Sequence, residues 1–189
     1  MNVYDFDNTI LRGDSTVRFC LYCLRRYPRI WPDIPAQLVN GALFLLKKRD
    51  LRAFKQRLLR FVRKIDVDRA LKAFWRRNFR RIKPFYPQIQ RPDDVIISAS
   101  PEFIIAPACF QLGIRHYMGS PVEPTTGEFL GPNCQGEEKV RRFRQAYPDA
   151  EIDTFYSDSH SDDPLARIAR RAVMVKGDQL LPWPWQDAH

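Results

Sequence analysis

The sequence predicts an α/β fold in which a parallel sheet, covered by helices, is interrupted by an inserted all-helical cap. After residue 90, short apolar runs alternate with helical patterns, which is typical of parallel strands joined by crossover helices. Another buried strand is predicted at 2–5, and a long helical stretch separates it from the others. We therefore assign residues 1–14 and 90–189 to an α/β core and residues 15–89 to a helical cap domain.

The charge distribution supports this division. The 189 residues carry a formal net charge of +9. From Arg18 to Lys83, twenty basic and four acidic residues give +16, so the eleven basic and eighteen acidic residues elsewhere give −7. One unit thus presents a positive surface, and the other gathers carboxylates.

Apolar residues recur at helical spacing throughout the cap. Asp14 or Ser15 can cap the first helix, which is predicted to end near Tyr27. Three further helices are predicted, at 36–46, 51–64 and 68–82. The proline-containing stretch 84–92 then predicts a linker back to the core.

The core is predicted to hold four more strands, which are short and apolar, as buried parallel strands are. These strands are predicted at 94–98, 115–118, 152–156 and 172–175. Helices are predicted at 101–112, 137–147 and 164–171, and a hairpin at 122–130.

Two carboxylates follow the first strand. Asp5 and Asp7 are spaced i, i+2 at a strand end, so both side chains can face one small volume. Two like charges this close repel unless a cation or a proton lies with them, and oxygen ligands favour a hard ion such as Mg²⁺. Considered alone, this stretch could also be a solvated, Asp-rich turn.

Other polar residues are predicted to meet this pair, because ligands bind beyond the carboxyl ends of parallel strands. Ser98 ends the second strand, Asp158 and Asp162 follow a later one, and Lys139 lies in a helix that starts after Gly136. A hydroxyl, helix-terminal amides and a lysine form a phosphate-binding set, while carboxylates with a divalent ion supply a nucleophile and its counter-charge. Taken singly, Ser98 could instead cap the next helix, and Lys139 could be a solvated helix lysine.

With these residues in this order, the chain resembles the haloacid dehalogenase (HAD) superfamily of phosphohydrolases, and most of all its phosphoserine-phosphatase-like branch (subfamily IB). Residues 5–9 are similar to the first motif of that superfamily, Ser98 to the second, Lys139 to the third, and Asp158 with Asp162 to the fourth. The resemblance spans the whole chain. It implies a HAD-like Rossmannoid core, a helical cap and a phosphomonoester hydrolase.

The resemblance also implies roles for the acidic residues. Asp5 would be the nucleophile that forms an aspartyl-phosphate, and Asp7 would act first as general acid and then as general base. Mg²⁺ would bind Asp5, the main-chain carbonyl of Asp7 and Asp158, while Asp162 would hold the ion directly or through water.

By the same resemblance, Ser98 and Lys139 would bind phosphate oxygens, and Thr9 would brace the loop that carries Asp7. In the phosphoserine-specific members, an acid shortly after the first motif contacts the substrate amine. Asp14 occupies that position here, although it is equally suited to cap a helix. We expect a small anionic phosphoester as substrate.

A lipid phosphatase at a membrane surface is an alternative. Residues 34–46 are apolar and too short to span a bilayer, but with the basic residues 47–49 they could contact an anionic membrane. The motifs at 134–140 and 156–159 are also similar to those of bacterial phosphatidylglycerophosphate phosphatases. Asp33, Gln37 and Asn40 depart from a fully apolar segment, so packing of this helix within the cap is the other possibility.

An alternative of another class is a basic nucleic-acid-binding module with a silent site, because four arginines lie between residues 76 and 81. Helical periodicity places Trp75 and Phe79 on one face, which favours core packing over base stacking. We therefore expect no nucleic-acid partner.

The four cysteines are few and irregularly spaced, and the start of the chain shows no leader pattern, so we expect a cytoplasmic protein. Cys20 and Cys23 fall in an apolar helical pattern and are predicted to pack in a helix rather than bind zinc. His160 is expected to face solvent. The tail with Trp183 and Trp185 either packs on the core or is mobile.

Overall fold

The computed structural model describes residues 1–185 and confirms the α/β fold class. One sheet contains six strands: β1 (Val3–Tyr4), β2 (Val95–Pro101), β3 (His116–Ser120), β4 (Ile152–Ser157), β5 (Ala169–Lys176) and β6 (Gln179–Pro182). Their order is β3-β2-β1-β4-β5-β6, with β1 to β5 parallel and β6 antiparallel to β5. The central strand β1 pairs with both β2 and β4, so the carboxyl ends of these three strands meet at one edge.

Five helices lie between β1 and β2, and three follow β2. The first group comprises α1 (Ser15–Arg26), α2 (Ile34–Leu45), α3 (Leu51–Leu58), α4 (Val67–Asn78) and α5 (Phe85–Ile89). The second group comprises α6 (Glu102–Gln111), α7 (Glu137–Ala146) and α8 (Asp163–Arg167). Short 3₁₀ turns occupy Pro28–Asp33, Leu59–Lys64, Phe79–Arg81 and His160–Asp162.

Alternating strand residues enter two hydrophobic clusters, one on each face of the sheet. Tyr4 and Ile96 belong to the first cluster, while Val3 and Val95 belong to the second. The first cluster also contains Phe74 and other buried residues of the helical segment, which therefore shares a core with the sheet. The predicted boundary between core and cap stays a prediction.

The structure confirms the N-cap predicted for α1 and the core packing predicted for Trp75 of α4. Asp14 caps α1 by accepting a hydrogen bond from the amide of Val17 at 2.8 Å. Trp75 of α4 is buried, and its Nε1 donates to the carbonyl of Ile104 at 2.7 Å, so it is not available for base stacking. Cys23 is buried and free.

Four predicted elements differ from the structure. The 84–92 stretch contains α5, because Pro84 and Pro87 fall at and just inside its first turn, where no intrahelical N–H is needed. The helix predicted at 51–64 ends at Leu58 and continues as 3₁₀ turns. The hairpin predicted at 122–130 forms, with an antiparallel bridge from Val122 to Phe129 and main-chain hydrogen bonds from Glu123 to Glu128 and from Leu130 to Pro121, but it is too short to form strands.

The fourth difference lies near the end of the sheet. The helix predicted at 164–171 ends at Arg167, because residues from Ala169 onward pair with β4 and that pairing overrides the helical pattern. Strand β6 was not predicted. It follows a tight turn at Gly177, whose φ of +61° suits glycine.

The aromatic tail packs on the core. Trp183 is fully buried, its ring centroid lies 6.0 Å from that of Phe155, and its Nε1 donates to Asp163 Oδ1 at 2.9 Å. His160 is exposed, and its Nδ1 lies 3.3 Å from the same Asp163 oxygen. Of the two tail alternatives, the structure therefore shows packing for the residues it describes.

Candidate functional site

A pocket of about 120 Å³ lies where the carboxyl ends of β1, β2 and β4 meet. Seven residues singled out from the sequence line it: Asp5, Asp7, Asp14, Ser98, Lys139, Asp158 and Asp162. This volume corresponds to roughly four water molecules at their share of liquid volume. The pocket therefore has room for a phosphoryl group with an ion, and the rest of a substrate would lie at its mouth.

Asp5 leaves the central strand pointing into this pocket. Its main-chain N–H donates to the carbonyl of Tyr156 at 2.9 Å, which fixes the backbone as it leaves β1. Its Oδ1 accepts from Lys139 Nζ at 2.7 Å, and its Oδ2 accepts from Thr9 Oγ1 at 3.3 Å. Burial raises the pKa of Asp5, while the Lys139 ammonium opposes that rise.

Lys139 is held between two carboxylates. Its side chain is 2% exposed, and Nζ donates to Asp5 Oδ1 and to Asp162 Oδ2, both at 2.7 Å. Burial alone would lower the pKa of Lys139, but the two carboxylates outweigh burial and raise it, so the side chain stays charged. Ser157 Oγ also donates to Asp162 Oδ2 at 2.7 Å, so Asp162 anchors the lysine.

Asp7 is oriented by two serines that sequence reasoning missed. Oδ1 accepts from the amide of Ser15 at 2.6 Å, and Oδ2 accepts from the hydroxyl of Ser100. Burial, followed by the charge of Asp14, raises the pKa of Asp7. Ser100 follows Ser98 by two residues in β2, so the sequence did contain the same i, i+2 spacing that paired Asp5 with Asp7.

Ser98, Asp14 and Thr9 lie close to Asp5 and Asp7. Ser98 is buried, and its Oγ accepts from the amide of Ser100 at 3.1 Å rather than capping the next helix. Asp14 caps α1 and also lines the pocket, while its contact with a substrate stays a prediction. Thr9 Oγ1 bridges Asp5 and Asp158, with Asp158 Oδ1 3.4 Å away.

Lys55 of α3 is the second lysine in the pocket, and it was not predicted. Its Nζ donates to the carbonyl of Ala99 at 2.9 Å and to Asn133 Oδ1 at 3.0 Å. Burial lowers the pKa of Lys55. Nothing in the sequence distinguishes it among the twenty basic residues between Arg18 and Lys83.

The oxygen ligands of the pocket suit a small, hard cation. Within residues 1–185, no three acidic, His or Cys side chains stand close enough to enclose an ion by themselves. Mg²⁺ usually binds one or two carboxylates and keeps several waters, so a full protein cage is not required. Asp5 and Asp158 share Thr9 as a neighbour, and Asp162 Oδ1 is buried without a hydrogen-bond partner in the described residues. These features fit the ion, although Asp162 Oδ2 is already bonded to Lys139.

A family model described as haloacid dehalogenase-like hydrolase matches residues 3–167. Among curated relatives, histidinol-phosphatase of Neisseria meningitidis serogroup C is 32% identical over 106 residues, covering 50% of this chain and 48% of that protein. This match therefore spans about half of the relative. Protein CicA of Caulobacter vibrioides is 26% identical over 193 aligned positions, covering 88% of this chain and 81% of CicA.

Solved structures share the fold at low sequence identity. A Bordetella pertussis Tohama I protein of unknown function superposes with a TM-score of 0.76 at 18% identity, covering 92% of this chain and 88% of that one. A phosphoserine phosphohydrolase-like protein from Francisella tularensis gives a TM-score of 0.60 at 16% identity, covering 92% and 87%. Likeness at this level concerns the fold.

Proposed function

We propose, from the premise that this chain belongs to the haloacid dehalogenase-like hydrolase family, that it is an Mg²⁺-dependent phosphomonoesterase. It would act on a small anionic phosphoester through an aspartyl-phosphate formed on Asp5. One observation carries the proposal: Asp5 lies in a phosphate-sized pocket between Lys139 and Thr9, with Asp7 beside it.

In the first half-reaction, a carboxylate oxygen of Asp5 attacks phosphorus, and the bond from phosphorus to the ester oxygen breaks. The departing oxygen takes a proton from Asp7. Burial raises the pKa of both acids, to about 7 for Asp5 and about 6 for Asp7, but their charged neighbours differ: the Lys139 ammonium opposes the rise at Asp5, whereas the Asp14 carboxylate adds to the rise at Asp7.

In the second half-reaction, water attacks the phosphorus of the aspartyl-phosphate, and the bond to the Asp5 oxygen breaks. Asp7, which lost its proton in the first step, accepts one from this water. Lys139 and Ser98 hold phosphate oxygens throughout. Mg²⁺, bound by Asp5, Asp158 and the main-chain carbonyl of Asp7, would neutralise charge on the transferring phosphoryl group.

The mouth of the pocket favours a leaving group with charged substituents. Asp14 and Lys55 line the same pocket as Asp5, so they offer a carboxylate and an ammonium to charged substituents of the leaving group. O-phosphoserine carries both complementary charges, whereas its N-acetyl derivative lacks the cation. We expect Asp14→Asn to reduce the preference for O-phosphoserine over N-acetyl-phosphoserine in kcat/KM, and an unchanged ratio would exclude Asp14 from recognition.

The nucleophile is tested by comparing two Asp→Asn variants with p-nitrophenyl phosphate. Asp5→Asn should lower kcat by roughly a thousandfold or more, because the nucleophile is removed. Asp149→Asn, at an exposed position in the loop after α7, should match the wild type. Acid-quenched wild type should carry a phosphoryl adduct on the peptide that contains Asp5, and near-normal turnover by Asp5→Asn would refute the assignment.

Metal dependence is tested separately. Turnover should stop in EDTA and return when Mg²⁺ is added in excess. Asp158→Asn should raise the Mg²⁺ concentration needed for half-maximal rate by roughly tenfold, since the ion loses an anionic ligand. Full activity in EDTA would contradict the role proposed for the ion.

A second candidate, a lipid phosphatase at an anionic membrane surface, is favoured by the orientation of α2. Gln37 and Asn40 turn toward α3: Gln37 donates to the carbonyl of Arg57 at 3.0 Å, and Asn40 to that of Phe54 at 3.1 Å. Asp33, just before α2, accepts from Lys64 at 2.7 Å. The polar residues that weakened this candidate in the sequence therefore face the protein.

The apolar residues of the same segment face solvent. Leu38 is 70% exposed, Val39 59%, Leu45 81% and Leu46 66%. The exposed Lys47 and Lys48 follow them, which gives the face the combination of apolar and cationic side chains that binds anionic bilayer interfaces. None of the described helices is both long and apolar enough to cross a bilayer.

Flotation with phosphatidylglycerol-containing vesicles tests this candidate. Wild type should float with these vesicles at low salt and not with pure phosphatidylcholine. Leu38→Ser/Leu45→Ser should stay at the bottom, whereas Leu180→Ser/Leu181→Ser, on exposed leucines of β6, should float like wild type. No association of wild type at low salt would remove the candidate without affecting the phosphatase proposal.

For the cell compartment, we propose the cytoplasm. All four cysteines are free, and burial raises the pKa of Cys23 and of Cys109. Thiols in this state suit a reducing environment. Cell fractionation with an antibody to the protein tests the assignment, which recovery in an oxidising compartment would contradict.

A further inference from the structure

A cavity of about 340 Å³ lies between α1 and the end of α4, away from the pocket that contains Asp5. Five arginines line it: Arg18, Arg25, Arg26, Arg77 and Arg81. The remaining residues that line this cavity are neutral, and the cavity shares no lining residue with the Asp5 pocket. The cavity is therefore a separate and strongly positive concavity.

None of these five arginines forms a salt bridge within residues 1–185, whereas Arg12 and Arg142 are paired with carboxylates at 2.9 Å and 2.7 Å. The Nε of Arg18 is buried and has no hydrogen-bond partner in the same part of the chain. A buried donor left unpaired and like charges gathered in one cavity both disfavour the folded state, so a bound anion would stabilise this part of the protein.

We propose that this cavity, which we name the arginine cavity, binds a small polyphosphate. Guanidinium groups pair with phosphate oxygens through two parallel hydrogen bonds. A single phosphate carries too little charge for five such groups, whereas a chain of phosphates can contact several at once. The volume lies at the lower end of the range for small-molecule sites, about 300–1,000 Å³.

The variants are chosen to spare the catalytic loop. Arg18 lies against Gly13, where an added Cβ would come within 2.4 Å of its Nε, and the carbonyl of Arg81 accepts from the amide of Arg12 at 2.9 Å. Both arginines therefore touch the loop that follows Asp7, and both are kept.

The test variant is Arg25→Ala/Arg77→Ala, which removes two exposed cavity arginines. Its matched control is Arg76→Ala/Arg80→Ala, which removes two exposed arginines outside the cavity, from α4 and the 3₁₀ turn that follows. Both variants lower the net charge equally, so they share any general electrostatic effect. Circular dichroism confirms that each is folded.

The measurement is isothermal titration calorimetry of the full chain with sodium tripolyphosphate, in a buffer with excess inorganic phosphate to compete for the Asp5 pocket. We expect one tripolyphosphate per chain, about tenfold or more weaker binding by the cavity variant, and less than about threefold change in the control.

Three results would overturn the proposal. One is no binding of tripolyphosphate by wild type. Another is equal weakening in both variants, which would indicate a diffuse positive surface. The third is single-stranded RNA binding that the cavity variant loses while tripolyphosphate fails to bind, which would assign the arginines to nucleic acid. Because the readout is binding, none of these results bears on turnover at Asp5.

Discussion

Replacing Lys139 by methionine tests how the pocket keeps its buried carboxylates ionised. The ammonium lies 2.7 Å from both Asp5 and Asp162, and all three side chains are at most 10% exposed. Removing one partner of a buried ion pair costs about 3–5 kcal/mol, because a buried charge is left unpaired. Since Asp5 borders the pocket and can regain water, we expect about 3 kcal/mol, which lowers the urea midpoint by about 1 M.

The pH dependence of this loss has a defined sign. Without Lys139, the rise that burial causes in the pKa of Asp5 is no longer opposed. A carboxyl group whose folded-state pKa exceeds its unfolded value destabilises the protein above the folded pKa, and the penalty fades as the pH falls toward the unfolded value. The stability gap between variant and wild type should therefore narrow from pH 8 to pH 5.5, by about 1.4 kcal/mol per unit of additional pKa rise.

Urea unfolding followed by circular dichroism, with EDTA present, measures the gap at both pH values. Lys72→Met, which removes an exposed lysine from α4, is the control and should change stability by less than about 0.5 kcal/mol. A Lys139→Met midpoint equal to wild type, or a gap that stays constant with pH, would refute the view that the lysine compensates buried charge.

Two further predictions concern packing and are read from urea midpoints. Trp183→Ala should cost about 3–5 kcal/mol, since the ring is fully buried, whereas Trp31→Ala, at a side chain 54% exposed, should cost far less; equal losses would contradict packing of the tail. Gly119→Ala should destabilise by more than about 2 kcal/mol, because the new Cβ would lie 2.4 Å from the main chain of Glu102. In Gly41→Ala, in α2, the new Cβ would have no atom within 4 Å, so this variant should be more stable by about 0.5–1 kcal/mol. If Gly119→Ala were the more stable of the two variants, the main chain near Glu102 would have to move to accommodate the added Cβ.

The residues the sequence could assign to the pocket are those whose positions follow from strand ends. Asp5 and Asp158 stand just past the ends of β1 and β4, and Ser98 lies within the neighbouring β2, which continues to Pro101 instead of ending at residue 98 as predicted. Adjacent parallel strands present their carboxyl ends at one edge, so local pattern alone places these side chains together. Lys139 was assigned by its motif, and α7 places it within reach of Asp5.

The residues that were missed depend on packing between distant segments. Lys55 reaches the pocket because its side chain extends from α3 to the carbonyl of Ala99, and helical periodicity cannot select it from the other basic residues. Ser100 donates to Asp7 from the end of β2, two residues past the apolar run from which that strand was predicted. Strand β6 was missed because its four residues are all exposed, leaving no alternation of buried and exposed positions to detect.

The distribution of charge and apolar surface connects these observations. The Asp5 pocket gathers carboxylates around one buried lysine, and such a site attracts a phosphate only when cations offset its charge. The helical segment carries that excess of positive charge, contributes Lys55 to the pocket directly, and shares a hydrophobic cluster with the sheet. If that segment only covered the pocket, exchanging Lys55 for methionine would leave KM for an anionic phosphoester unchanged. We expect KM instead to rise by about tenfold, with a smaller effect on kcat, because Lys55 would contact the substrate equally before and during the reaction.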